Sequence, residues 1–97
     1  MRFIELDARK WRTVSDLYDA LFIGIEAPTW HSRNLNALVD AMIFERIGVN
    51  AIDPPYTIRI VGTVALSSEL KKEIEFTADA IRKVRRTDAY VEFEIAP

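Results

Sequence analysis

Three short, apolar-rich stretches of the chain have the residues that favour extended strands. They cover residues 2–7, 56–61 and 90–95. In the last stretch, apolar and polar residues alternate strictly, which places them on opposite faces of a strand. The pattern therefore predicts three β-strands, one near each end of the chain and one in the middle.

Between the strands, apolar residues return every three or four positions, as on one face of an amphipathic helix. The first such segment predicts a helix over residues 14–24, which Thr13 and Asp16 open in the manner of a capping box. A loop that contains Pro28 leads into a second helix, whose apolar positions are Leu35, Leu38, Val39, Met42 and Ile43. The longest helix opens at residues 67–69, and its inner face consists of Leu70, Ile74, Ala78, Ile81 and Val84 or Arg85.

The order of elements is strand, helix, helix, strand, helix, strand. Because helices connect successive strands, a three-stranded parallel sheet with right-handed crossovers is the simplest architecture. Strands covered on both faces would be apolar throughout, whereas Arg59, Glu92 and Glu94 interrupt these ones. We therefore predict a small α/β fold with its helices mainly on one face of the sheet. No repeat or linker divides residues 1–97, so we expect a single domain.

Composition excludes several kinds of functional site. The 97 residues include no cysteine and one histidine, which removes disulfides, thiol catalysis and thiolate or histidine-rich metal sites. Three glycines supply no glycine-rich phosphate-binding loop. We therefore expect no metal and no cofactor. No apolar run reaches the ~20 residues of a membrane span and no signal-peptide core is recognisable, so we expect a soluble, cytoplasmic protein without a membrane partner.

Charge argues against a nucleic-acid partner. Thirteen basic and fifteen acidic residues give a net charge of −2, which does not suit a protein that binds polyanions by bulk charge. The main basic cluster consists of Arg82, Lys83, Arg85 and Arg86. It lies where the third helix is predicted to end, and cations there complement the helix dipole. No aromatic residues are interleaved with these cations, as they would be in many nucleic-acid-binding surfaces.

Two arrangements of side chains raise the question of catalysis. His31 stands beside Ser32, with Asp40 in the following helix, but neighbours in sequence usually point apart. Glu92 and Glu94 share one face of the last strand, which is also typical of a solvated sheet surface. We therefore expect a protein that is not an enzyme, and a catalytic His31 is kept as the third of three hypotheses.

The loop before the second helix and the start of that helix have a different character. Trp30 and His31 lie in the loop, and Asn36 and Asp40 are four positions apart on the helix. Since the apolar stripe faces the core, Arg33, Asn36 and Asp40 share an outward face. Aromatic side chains beside polar anchors have the composition of a protein-interaction hot spot. A solvated polar face over a tucked tryptophan has the same pattern, so both interpretations stay open.

Residues 28–40, Pro-Thr-Trp-His-Ser-Arg-Asn-Leu-Asn-Ala-Leu-Val-Asp, resemble the signature of the barstar family of ribonuclease inhibitors. Residues 15–21 resemble the first helix of that family, and the predicted order of elements agrees with its three-stranded parallel sheet. The resemblance is one of sequence over residues 13–42 and of element order elsewhere. It implies an inhibitor that plugs a nuclease active site with the loop and the exposed face of the second helix, and that protects the producing cell.

The resemblance also implies roles for single residues. Asp40 matches the family's central aspartate, which occupies the place of a substrate phosphate. A carboxylate there suits a cluster of arginines or lysines, because charge-assisted hydrogen bonds are strong. Trp30 and His31 match aromatic-type positions that pack against the nuclease, and Asn34 matches an asparagine that fixes the loop.

The chain departs from the family's pattern at several positions. Ser32 replaces a glycine of the signature, Asn36 an aspartate and Val39 a tryptophan, and the cluster at 82–86 is basic where family members tend to be acidic. These differences leave the partner open between a ribonuclease and another toxin. We expect the partner-binding residues to be Trp30, His31, Arg33, Asn34, Asn36, Val39 and Asp40.

The expected function is that of an inhibitor or immunity protein in a toxin–antitoxin pair. It would block the active site of one cognate ribonuclease or related toxin, and we expect it to be monomeric when free. The alternative is a barstar-like scaffold that serves as a self-associating or regulatory interaction module and has no nuclease target. The oligomeric state in solution distinguishes these two hypotheses.

Overall fold

A computed structural model describes residues 2–27, 34–39, 42–43, 54–85 and 90–97. Its elements in chain order are β1 (Arg2–Asp7), α1 (Val14–Gly24), α2 (Leu35–Val39), β2 (Tyr56–Val61), α3 (Ser68–Val84) and β3 (Val91–Ile95). The predicted order of strands and helices is therefore confirmed. None of the helices in the described ranges is long and apolar enough to cross a membrane.

The three strands form one parallel sheet in the order β1-β2-β3. The register aligns Ile4 with Ile58 and Ile58 with Phe93. This confirms the predicted three-stranded parallel sheet. The middle of the sequence thus supplies the middle strand, and the two terminal strands are both edge strands.

Helices cover one face of this sheet. A row on the covered face is buried and consists of Ile4, Ile58 and Phe93. The next row points to the other side, is exposed, and consists of Glu5, Arg59 and Glu94. We call the side with these charged residues the open face. Thr57 is also on the open face but is buried. The predicted one-sided arrangement of helices is confirmed, because charged side chains on the strands remain in water.

Helix α1 begins at the predicted capping box. The Asp16 N–H donates to Thr13 Oγ1 at 3.3 Å, and Asp16 Oδ2 accepts from the Thr13 N–H at 3.0 Å and from the Arg12 N–H at 2.8 Å. These backbone donors, Arg12 first, lower the pKa of the Asp16 carboxyl. The core side of the helix is fully buried and consists of Leu17, Leu21 and Phe22, followed by Ile25.

Helix α3 packs against both α1 and the sheet. The Leu70 N–H donates to the Ser67 side chain at 3.2 Å, which caps the first turn. The predicted inner face is confirmed by the burial of Leu70, Ile74, Ala78 and Ile81. Tyr18 of α1 donates to Glu73 Oε2 at 2.7 Å and lies 3.3 Å from Thr77 Oγ1. Burial raises the pKa of the Tyr18 hydroxyl, so this hydroxyl stays protonated and can donate the hydrogen bond that joins α1 to α3.

Candidate protein-binding site

The start of α2 is fixed by Asn34. The Ala37 N–H donates to Asn34 Oδ1 at 2.9 Å, and the Leu38 N–H donates to the Asn34 backbone oxygen at 2.9 Å. An asparagine in this position satisfies backbone donors that the first turn of a helix otherwise leaves without partners. The bond sets where the chain changes from the preceding loop to helix.

Apolar residues hold α2 against the rest of the molecule. Leu38 is fully buried and Ala37 nearly so. Met42 and Ile43 are buried as well, and the partly buried Leu35 and Val39 pack against the same core. The apolar positions predicted for the second helix therefore all contact the core. A helix anchored in this way presents its remaining side with little freedom to shift, because interiors are close-packed.

The structure describes three of the seven predicted partner-binding residues. Asn34 and Asn36 are exposed at the first turn of α2, so both can be reached by another protein. Val39 is half-buried and packs against the core, which leaves only part of its side chain for a partner. The other four lie outside the described residues, as does Ser32, and they are Trp30, His31, Arg33 and Asp40.

Two members of the predicted basic cluster, Arg82 and Arg85, form ion pairs with Glu92, and a third, Arg86, lies outside the described residues. Arg82 Nε lies 2.9 Å from Glu92 Oε1, and Arg85 Nη1 lies 2.9 Å from Glu92 Oε2. The Arg85 guanidinium also stacks 4.5 Å from the centre of the Tyr90 ring. The hydrogen bond from Arg82, with smaller contributions from the Phe93 N–H and Arg85, lowers the pKa of Glu92 to about 2.

These ion pairs attach the last turn of α3 to β3. Arg82 and Lys83 lie in that turn, as expected for cations that complement the helix dipole. Sequence reasoning missed the role of Glu92, which it placed with Glu94 on a solvated strand face. Glu94 is indeed exposed, but Glu92 is half-buried under the two arginines. The three-residue spacing of Arg82 and Arg85 was the available signal, because it places both on one side of the helix.

The described residues contain neither a metal-binding group nor a pocket. They contain no group of three histidine, aspartate or glutamate residues that could hold a metal ion. They also enclose no detectable pocket. The hypothetical catalytic residues His31, Ser32 and Asp40 all lie outside the described ranges. Within the described ranges, Asn34 and Asn36 are the exposed residues of the predicted binding surface, and this surface remains a prediction.

Comparison with known proteins bears on the same region. No curated protein matches the chain. The family described as "Barstar (barnase inhibitor)" matches residues 1–96, which include both the sheet and the α2 region. The match extends the resemblance at residues 13–42 to nearly the whole length of the chain, and the family's description names it as an inhibitor of barnase. The chain belongs to the barstar family.

Proposed function

We propose that this protein binds and blocks the active site of a cognate ribonuclease or related toxin. The observation that carries the proposal is the match of residues 1–96 to a family of ribonuclease inhibitors. The proposed setting is the cytoplasm of the producing cell, where the protein would act as the immunity partner of a toxin. We further propose that it is monomeric until it meets that partner.

The architecture of α2 supports this function. Tight inhibition needs a surface that is ordered before binding, since ordering side chains and loops during association costs free energy. The Asn34 cap and the burial of Leu38 fix α2 before any partner arrives. Asn36 is exposed on this helix, and Asp40 follows it four positions later in the sequence. The proposed role of Asp40 is to occupy a cationic phosphate-binding site of the toxin.

Charge at the end of α3 is compatible with a protein target. Two of the four cations predicted there are paired with Glu92, and Arg82 also approaches Asp79 at 3.3 Å. This arrangement reduces the positive potential that would repel a basic nuclease. Lys83 is exposed at the same helix end, so a nuclease that binds this face would meet a weakly basic surface, in contrast to the acidic surface that the resemblance implies for the family.

The experiment is a titration of nuclease activity. The targets are barnase, which the family description names, and a panel of small nuclease and toxin domains from the source genome. RNA cleavage by each enzyme is measured while the chain is added in increasing amounts, and heat-unfolded chain is the control. We expect cleavage by one of these enzymes to fall to zero at one equivalent. Full cleavage of RNA by every enzyme in the presence of excess folded chain would contradict the proposal and favour the self-associating module.

A further inference from the structure

The two edges of the sheet differ in how their backbone groups are used. Ala96 N–H donates to Ile60 O at 2.8 Å, which means that the backbone groups of Val91 and Phe93 point away from the sheet. Likewise, Ala8 N–H donates to Val61 O at 2.8 Å, and the backbone groups of Phe3 therefore point outward from β1, as do those of Glu5. Each edge thus offers a short row of outward donors and acceptors.

Charged side chains cover the β3 edge. Arg82 Nη2 donates to Phe93 O at 2.9 Å, Arg85 Nη1 donates to Val91 O at 3.5 Å, and the Phe93 N–H donates to Glu92 Oε1 at 2.8 Å. Proteins block edge strands in such ways to prevent pairing with other chains. The cluster of Arg82, Arg85 and Glu92 therefore obstructs this edge at Val91 and Phe93, where an additional strand would have to pair.

The described residues provide no such cover for the β1 edge. Among the described residues, none hydrogen-bonds to the outward backbone groups of Phe3 or Glu5. Phe3 is 59% exposed, and Glu5 is exposed beside it on the open face. An edge with free backbone groups and an exposed aromatic side chain is the geometry that accepts an extended segment from another protein.

Side chains on the open face indicate which segment would fit. The register places Glu5, Arg59 and Glu94 in one row, so charges alternate across the sheet. Arg59 Nε lies 3.7 Å from Glu94 Oε2, whereas no described cation lies within 4.0 Å of the Glu5 carboxylate. A cation on the next strand would continue the alternation beside Glu5. An apolar side chain two positions away would cover the exposed ring of Phe3.

A second copy of the chain fits this edge poorly. Antiparallel pairing of two β1 strands about Ile4 would place Phe3 opposite the Glu5 carboxylate of the other copy. Pairing about Glu5 would place two carboxylates opposite each other, which is unfavourable. Pairing about Phe3 would use only residues 2–4 of a strand that begins at Arg2. The charge pattern therefore favours a different, basic segment.

We propose that the β1 edge at Phe3 and Glu5 binds an extended segment of a protein partner, with a lysine or arginine beside Glu5 and an apolar residue beside Phe3. This surface and the α2 site have no residues in common. The proposal for the β1 edge can therefore be tested independently of the proposed inhibition of a nuclease.

The test uses an end-blocked nonapeptide, TTVTKTVTT, titrated into isotope-labelled protein and followed by NMR. Its palindromic sequence sets lysine beside Glu5 and valine beside Phe3 in either strand direction. The control peptide, TTVTETVTT, has glutamate at the centre. We expect amide shifts centred on β1, and about fivefold tighter binding of the lysine peptide, as cross-strand charge pairs produce. Equal binding of both peptides, or unchanged β1 amides at millimolar peptide, would overturn the proposal.

Three variants locate the interaction. Glu5→Lys should reverse the preference between the two peptides, whereas Glu94→Lys, on the far strand of the same row, should preserve it. Phe3→Pro removes an outward N–H that the sheet does not use, so the fold should persist while peptide binding is lost. Wild-type binding by the Phe3→Pro protein contradicts the proposal. A concentration-dependent dimer that this variant abolishes would also contradict it, because the occupant would then be a second copy.

Discussion

Helix α2 and the last turn of α3 are attached to the molecule by different forces. Leu38 fixes α2 through complete burial, and Asn34 caps it with a neutral hydrogen bond. The end of α3 is fixed by Arg82 and Arg85, which converge on the carboxylate of Glu92. The first attachment does not depend on any proton, whereas the second is lost when Glu92 is neutralised.

This difference determines which part of the fold is sensitive to pH and salt. The helix proposed to bind the toxin is held by packing, which changes little with pH or salt. The ionic attachment holds an edge of the sheet, where its arginines also bind outward carbonyl groups of β3. We infer that the inhibitory surface would keep its shape under conditions that loosen the end of α3. Each prediction below tests one side of this comparison.

Leu38→Ala should have the largest effect on stability. Removing a fully buried leucine loses apolar contacts and leaves a cavity, so we expect the free energy of unfolding to fall by about 2–5 kcal/mol. Urea denaturation measures it. Leu6, which is only partly buried, provides the control, and Leu6→Ala should cost less. A loss of stability below that of the control would mean that α2 is not anchored by its apolar side.

Asn34→Ala should cost about 1 kcal/mol, since it removes a helix cap. Ser67→Ala removes the corresponding cap of α3 and should cost a similar amount. The two variants should differ in inhibition, because only Asn34 holds the proposed binding helix. Paired urea denaturation and nuclease titration compare them. If both variants inhibited equally well, the cap would have no part in presenting the binding surface.

Glu92→Gln should remove a pH-dependent part of the stability. The pKa of Glu92 is about 2 in the folded protein and 4.5 ordinarily, so its stabilisation is present above about pH 4.5 and is lost as the pH falls towards 2. Partial exposure to solvent reduces the effect to about 1 kcal/mol. Denaturation at several pH values should show wild type and variant converging near pH 2.

Asp7 and Asp16 also have lowered pKa values, so they too make the stability depend on pH. Only the difference between wild type and Glu92→Gln isolates the part that belongs to Glu92. Glu94→Gln is the matched control, since Glu94 is exposed and lies 3.7 Å from Arg59. Its stability curve should follow that of the wild type. A constant difference between wild type and Glu92→Gln down to pH 2 would show that Glu92 does not act through its charge.

Asn36→Ala should have the smallest effect on stability. Asn36 is exposed on α2, and exposed substitutions usually change the free energy of unfolding by less than about 0.5 kcal/mol. Weakened inhibition by this stable variant would place Asn36 in the interface. Calorimetric binding and thermal unfolding of the same sample separate the two properties, and a large loss of stability would contradict the assigned position.

Local signals made most of the fold predictable. The capping box at Thr13 and the apolar periodicity behind it define α1 within a few neighbouring residues. The ion pairs of Glu92 were not predictable in this way, because Arg82 is ten residues away and meets it only when β3 folds back along α3. The difference between the two sheet edges was likewise not predictable from the sequence, because it depends on which backbone groups the strand register turns outward. At the candidate site, the resemblance to the family's motif predicted that Asn34 fixes the loop, and the structure shows that Asn34 Oδ1 accepts from the Ala37 N–H.

The proposed inhibitory site is tested most directly by measuring how much Asp40 contributes to the free energy of binding. Calorimetry measures binding of the enzyme that the chain inhibits in the titration to wild type, Asp40→Ala and Glu75→Ala, the last being an exposed acid on α3 that serves as the control. We predict that Asp40→Ala weakens binding by at least about 2 kcal/mol, as a hot spot does, and that Glu75→Ala changes it little. Equal affinities for all three proteins would contradict the proposed inhibitory site.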